Sequence, residues 1–268
     1  MDTKKLQMHA KSSYSEPLRY QRTGRSRKPL PDTPVSDGRR TASDDESKAR
    51  LCCAYYARVS GVRVERRRSK RAYLAVRRRI GDGGGTEEEL SDFTLGALRD
   101  AVARGRGRAP GPDGIHPDML RRLPAEGQVA LLALINRSWR TGEIPALWRS
   151  GLIVPILKKA KPTAEVKSYR PVTLLCCTSK VMERMVAARL GFWQCRTGLV
   201  PPEQAGFQTG RSTADCTAQI AQPAFDALQA RKRPSRSLLV AVDLRAAFDR
   251  VWRGGLLEML ANAEVPGR

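Results

Sequence analysis

The stretch SLLVAVDLRAAFDRV (237–251) decides the fold. Its first half is continuously apolar and rich in Leu and Val, the pattern of a strand covered on both faces. It ends in a carboxylate, Asp243, and the residues from 246 to 260 then read as a helix leading away. A strand that delivers an acid at its terminus holds that acid on a rigid frame. Spacing alone leaves two readings. Asp243 caps the following helix, or it is a metal ligand in a site for phosphoryl transfer, where divalent ions sit among carboxylate and carbonyl oxygens.

The segments before it supply the other elements. Residues 214–228 and 178–193 read as helices, the second with Val181, Met185, Ala188 and Phe192 at helical spacing. PVTLLCC (171–177) and GLIVPILKK (151–159) read as strands, the latter running into two lysines. A long helix spans 125–140, with Leu131, Leu134, Ile135 and Trp139 on one side and Gly142 as its stop. APGPDGIHP (109–117) is a loop dense in Pro and Gly, and LGALRDAVA (95–103) is a helix following Thr94. Thr86 with Glu89 reads as a capping box, and Gly83-Gly84-Gly85 as a domain boundary. The class is α+β, with a sheet that presents an acid at its end.

Four of these stretches, in this order, resemble reverse transcriptases of non-LTR (LINE-type) retrotransposons. APGPDGI (109–115) resembles the entry loop before the fingers. LIVPILKKAKPTAEVKSYRPVTLL (152–175), with SKVMERMVAARL (179–190) after it, resembles the fingers segment. EQAGFQTGRSTAD (203–215) is similar to the next block, and AVDLRAAFDRV (241–251) to the motif carrying the first catalytic aspartate. The wording is closest to the ingi-type clade of trypanosomatid elements. The resemblance implies a right-hand polymerase fold: fingers at about 93–235, and the opening strand and helix of a palm at about 236–268.

The resemblance also implies roles. Asp243 is the catalytic aspartate and a ligand of Mg²⁺ (or Mn²⁺), joined by the backbone carbonyl of Leu244. Phe248 lies under the sugar of the incoming nucleotide, favouring dNTP over rNTP. Its alternative is a core aromatic. Lys158 and Arg170 contact the triphosphate, which is sensible chemistry for cations facing phosphate charge. The alternative for Lys158 is a solvated strand end. Arg170 precedes Pro171, which fixes an extended backbone. Gly206, Phe207, Gly210, Arg211 and Ser212 resemble residues along the template, with Gln208 where an Arg is expected. The implied partners are an RNA template, a DNA primer and dNTP. The family's second motif, [FY]xDD, does not occur before Arg268. The expectation is a palm cut short and no DNA synthesis by this polypeptide alone. The competing reading is a degenerate remnant that only binds RNA or DNA through its basic surface.

Charge supports a polyanionic partner. The 268 residues hold 49 Lys+Arg against 27 Asp+Glu, a net +22, and phosphate backbones attract such a surplus regardless of sequence. Between Arg63 and Arg79 stand nine Lys/Arg and one acid, Glu65, with Tyr55, Tyr56 and Tyr73 nearby. Arg66, Arg67 and Arg68 are candidate phosphate contacts on an arm whose aromatics stack on bases. A basic linker or nuclear-import patch is the alternative. Residues 1–85 as a whole read as a disordered basic region, and 86–268 as the partial polymerase domain. Asp44-Asp45 reads as a solvated acidic patch. The six cysteines form no CxxC pair, so structural zinc is not expected. No run approaches the roughly 18 apolar residues of a membrane span, and nuclear or cytoplasmic residence is expected.

Overall fold

The computed structural model describes residues 33–61, 64–81, 90–105, 109–229, 236–244 and 246–266. The chain divides into two compact units: Met1–Ala187 with Phe248–Arg268, and Ala188–Ala247.

The centre of the first unit is helical. Helices α3 (Leu95–Ala103), α4 (Pro117–Arg121), α5 (Ala125–Thr141) and the first half of α6 (Cys177–Thr197) enclose one apolar core. Leu98 and Ala101 of α3 meet Leu120 of α4, Leu131 and Ile135 of α5, and Val181, Met182 and Met185 of α6. Each helix carries its own boundary signals. Thr94 caps α3 by accepting from the Ala97 amide at 3.2 Å, satisfying a donor that the first turn leaves free. Pro117 opens α4, where its missing N–H costs nothing. Gly142 ends α5 with φ 68°, a left-handed turn that glycine adopts without a Cβ penalty, and its N–H bonds Ser138 O. The expected helices over 125–140, 178–193 and 214–228 appear as α5, α6 and α7 (Thr213–Gln229). α7 tolerates Pro223 in its interior.

Two strands, β3 (Gly151–Leu157) and β4 (Tyr169–Leu175), pair antiparallel with Gly151 opposite Leu175 and Leu157 opposite Tyr169. This register sets Pro155 directly across from Pro171. The ladder continues one step to Lys158, whose N–H donates to Ser168 O at 2.8 Å. Hydrogen-bonded pairs alternate with non-bonded ones, so the two prolines share a non-bonded pair and neither removes a ladder bond.

The N-terminal region departs from the disorder expected over residues 1–85. Residues 1–32 lie outside the described residues, as do the proposed capping box at Thr86–Glu89 and the glycines at 83–85. The described residues between Val35 and Gly81 are folded. β1 (Val35–Ser36) and β2 (Thr41–Ala42) form a small hairpin, followed by α1 (Asp45–Val59) and α2 (Arg66–Gly81). Asp44 and Asp45 are exposed, as the solvated-patch reading has it, and Asp44 also caps α1, accepting from the Ser47 amide at 2.9 Å. That bond holds its carboxyl below the usual carboxylate range. Composition misleads here because the core is small and borrowed. Val35, Ala42, Leu51, Cys52 and Tyr56 bury themselves with Val166, more than 100 residues away in sequence.

The strand expected over 237–243 is also corrected. Residues 236–244 form neither helix nor strand, and Leu238 and Val242 are 89% and 82% exposed. A helix satisfies its own backbone, whereas a strand requires a neighbour. The described residues form only two-stranded sheets, and neither includes this run. The helix expected from 246 is delayed: 246–250 are turns, and α8 spans Arg253–Asn262.

Candidate functional site

Lys158 and Arg170 are brought together by the β3–β4 register. Side chains alternate between faces along a strand, and residues directly opposite share a face. Ile156 faces Arg170, and Lys158 lies two residues on from Ile156. The two cations therefore occupy one face as diagonal neighbours, about 7–8 Å apart at the backbone. The other face carries Ile153, which packs on the N-terminal core, and buried Tyr169. Arg170 is exposed, while Lys158 is half-buried and its Nζ donates to Lys167 O at 2.8 Å. Lys159, Lys161 and Lys167 flank this end of the hairpin, with Glu165 at 3.1 Å from Lys167 the nearby acid. The result is a cationic hairpin tip suited to an anion with several negative oxygens.

The second unit holds the block at 203–215. Gly206 and Phe207 lie in a turn, with Phe207 at φ 62° and 93% exposed. Gly210 adopts φ 75°, and the Arg211 amide bonds Gln208 O at 3.4 Å. Ser212 has a structural task that sequence reasoning did not assign. Its N–H and hydroxyl both donate to Asp215 Oδ2 at 2.7 Å, and its Oγ accepts from the Asp215 amide at 3.4 Å. This is a reciprocal cap on the start of α7. The Ser212 bonds hold the Asp215 carboxyl below its ordinary range. The pattern Ser-x-x-Asp was readable in the sequence.

Asp243 belongs to the same unit, on the exposed run that ends at Leu244. A two-metal site requires several oxygen ligands converging within a few ångströms. Among the described residues no group of three or more His, Cys, Asp or Glu gathers in this way. Asp243 and the Leu244 carbonyl, the expected ligands, are not joined by further acids, and the described residues do not by themselves fit a Mg²⁺ or Mn²⁺ centre. Phe248 sits in the turn before α8, 79% exposed, which removes the core-aromatic reading.

The basic region is a helix, not an extended arm. Arg66 and Arg67 are exposed on α2, as are Lys70, Arg71, Arg77 and Arg78. Arg68 differs: α2 packs along α8, and the Arg68 guanidinium lies 4.7 Å from the centroid of the Trp252 ring. At the far end, Arg79 donates to Glu264 O at 3.1 Å. The tyrosines are not a stacking series. Tyr56 is buried, Tyr55 packs edge-on to it under Arg58, and Tyr73 is exposed beside Arg77.

Two positioning features went unread in the sequence. The loop 109–115 is seated on the junction of β4 and α6. A Cβ on Gly111 would lie 2.4 Å from Cys176 N and 2.5 Å from Leu175 C. Cys177 Sγ bonds Ala109 O at 3.8 Å, and burial together with Asp113 pushes the Cys176 thiol up to about 11. Asn136, buried in α5, accepts from the Phe93 amide at 2.8 Å and donates to Phe93 O at 3.0 Å, pinning the entry to α3. An Asn between Ile135 and Arg137 on a helix that otherwise alternates apolar and charged faces was the available signal.

Residues 156–268 match the family model described as reverse transcriptase (RNA-dependent DNA polymerase). The chain is 34% identical over 155 residues to a probable RNA-directed DNA polymerase from transposon X-element of Drosophila melanogaster, covering 58% of this chain and 17% of that protein. It is 32% identical over 169 residues to the RNA-directed DNA polymerase from mobile element jockey of the same organism, covering 63% of this chain and 18% of that protein. A retrovirus-related Pol polyprotein from type-1 retrotransposable element R1 of Bradysia coprophila is 28% identical over 174 residues, covering 63% of this chain and 16% of that protein. The aligned part of the chain thus spans less than a fifth of the length of each of these relatives. No helix among the described residues is long and apolar enough to cross a membrane.

Proposed function

We propose that this chain is a portion of an RNA-directed DNA polymerase of a non-LTR retrotransposon, supplying the fingers and the opening of the palm. The observation that carries this reading is the register that sets Lys158 and Arg170 as diagonal neighbours on one face of a hairpin, inside the region similar to reverse transcriptases. Two fixed cations there neutralise the triphosphate of an incoming dNTP and orient it, which lowers the cost of charge developing on the leaving phosphates. Phe248 stands where a ring would crowd a 2′-hydroxyl. Gly206, Phe207, Gly210, Arg211 and Ser212 lie along the RNA template, and Arg66 and Arg67 add phosphate contacts with template or primer. Asp243 and the Leu244 carbonyl would contribute to a Mg²⁺ or Mn²⁺ site that activates the primer hydroxyl. The described residues do not complete that site. The finer placement near ingi-type elements rests on the wording of the motifs, and the nucleus or cytoplasm is the compartment that fits.

The test is titration of the 268-residue protein with a dNTP, followed by primer extension on an RNA template. Binding weakened at least roughly tenfold by Lys158→Ala or Arg170→Ala, the scale of a lost charge-assisted contact, supports the reading. Binding indifferent to both substitutions together overturns it. We expect no extension by this polypeptide alone. Extension abolished by Asp243→Asn would instead show that its own residues complete the metal site. The reading of a remnant that binds nucleic acid without chemistry is favoured by one observation, the exposed cationic surface of α2. It predicts RNA affinity that falls steeply with salt together with no dNTP binding.

A further inference from the structure

The hairpin β3–β4 has a back as well as a front, and the N-terminal segment packs against part of the back and against the connection between the strands. The contact is made twice. Ser36 donates its N–H to Ala164 O at 2.7 Å and forms a parallel bridge with Glu165, so β1 adds a short strand to the connection between β3 and β4. Beside it, Val166 has no exposed surface and packs into the cluster of Val35, Ala42, Leu51, Cys52 and Tyr56. From Val166 the chain leads directly to the groups that hold the cations. Lys167 O accepts from Lys158 Nζ at 2.8 Å, and Ser168 O accepts from the Lys158 amide at 2.8 Å. Tyr169, buried, begins the strand that carries Arg170 and donates its hydroxyl to Thr163 O at 2.7 Å.

We infer that β1, β2 and α1 form a positioning buttress for the cationic face of the hairpin, acting through Val166. A two-stranded hairpin is marginal by itself in water, and the connection of 158–168 is long for one. Its order comes from the apolar contact and the strand bridge on the back. Lys158 and Arg170 inherit that order through the Lys167 and Ser168 carbonyls and through Tyr169. Leu51, Val35 and Val166 are then positioning residues: they touch no substrate, yet they fix where the two cations stand. The structural part of this inference stands on geometry alone, and its link to substrate rests on the reading of Lys158 and Arg170 as triphosphate contacts.

The experiment is hydrogen exchange on the full 268-residue protein, paired with dATP titration. The variants are Leu51→Ala and Ser36→Pro, with Leu51→Met as the conservative rescue. Leu51→Ala removes packing, and Ser36→Pro removes the N–H donor to Ala164 together with the hydroxyl bonds to Arg40 O and from Gly38 N. We expect exchange at the Lys158 and Ser168 amides to quicken on the order of tenfold or more in both, since such losses shift a local opening equilibrium by at least that factor. Amides of α5, which belong to the other core, keep their protection and show that each variant is folded. Leu51→Met restores slow exchange. Affinity for dATP falls in parallel with the exchange and recovers with the rescue. If the Lys158 and Ser168 amides stay protected in Ser36→Pro and in a Leu51→Ala protein with intact α5, the buttress is overturned. If those amides open while dATP binding never depended on Lys158 or Arg170, the buttress stands and the nucleotide reading fails.

Discussion

Replacing Gly111 with alanine adds one methyl group where the structure has no room for it. The new Cβ would stand 2.4 Å from Cys176 N and 2.5 Å from both Leu175 C and Leu175 O. All three are backbone atoms at the junction of β4 and α6, so no side chain can rotate away. Gly111 is not among the described residues with positive φ, and the cost is therefore steric, not conformational. Overpacking of this kind costs typically 1–3 kcal/mol, and a clash with fixed backbone belongs at about 3 kcal/mol. Gly114, three residues on, is the control. It has φ +67° and nothing within 4 Å of a built Cβ, so Gly114→Ala carries only the left-handed penalty of roughly 1–2 kcal/mol. Part of that is offset by the less flexible unfolded chain. The assay is urea unfolding followed by circular dichroism. With a slope of about 1–3 kcal/mol per molar urea, Gly111→Ala lowers the midpoint by roughly 1–3 M. An equal or larger shift for Gly114→Ala would refute the seating of loop 109–115 on the β4–α6 junction.

Further outcomes follow from other contacts. Asn136→Ala removes both hydrogen bonds to the Phe93 backbone in a buried setting and lowers unfolding free energy by about 2–4 kcal/mol, measurable in the same denaturation series. The buried Tyr56 hydroxyl finds no hydrogen-bond partner among the described residues, so Tyr56→Phe is neutral or stabilising, by up to about 1 kcal/mol, in thermal unfolding. The folded Asp215 carboxyl titrates below its ordinary value of 3.8. Its cap on α7 is therefore fully present above that value and is lost as pH falls through the lower folded value. Amide exchange at the start of α7 should quicken across that acid window, and Ser212→Ala should weaken the pH dependence without abolishing it, because the backbone N–H at 212 still donates to Asp215. Arg66→Ala and Arg67→Ala each reduce the salt slope of RNA binding by about 1. Arg68→Ala lowers stability by about 0.5–1 kcal/mol through the lost Trp252 contact, with a smaller effect on the slope.

Much of the helical scaffold was legible because a helix is specified locally. Leu131 and Ile135 repeat at 3.6-residue spacing, Thr94 and Gly142 mark ends, and each segment closes its own hydrogen bonds. The two strands of the hairpin were legible as strands, because β-branched and apolar runs flank a polar connection, but their pairing was not. The run at 237–243 was misread because a strand is a relationship between segments. Apolar continuity says that a strand would be covered if it formed, but nothing in Leu238–Val242 names the partner. The N-terminal core was missed for the opposite reason. Its residues are few and scattered in a polar sequence, and Val166, which completes it, is invisible from Val35. Gly111 shows a third limit. A proline-rich, glycine-rich loop announces a turn, but the closeness of a second backbone is a tertiary fact. Within the candidate site, the cations at Lys158 and Arg170 could be paired from the sequence only after the register was known.

The facing prolines of the hairpin have a consequence for its neighbours. In a non-bonded pair the backbone N–H groups point away from the partner strand, toward the two open flanks. Pro155 and Pro171 therefore remove a donor from the middle of each flank at once. An incoming strand from another molecule would meet a gap in its ladder on either side, and the rings would hold it at a distance. The hairpin stays a ribbon of two, proof against the indiscriminate pairing that bare strand edges invite, and its cationic face is left open to solution.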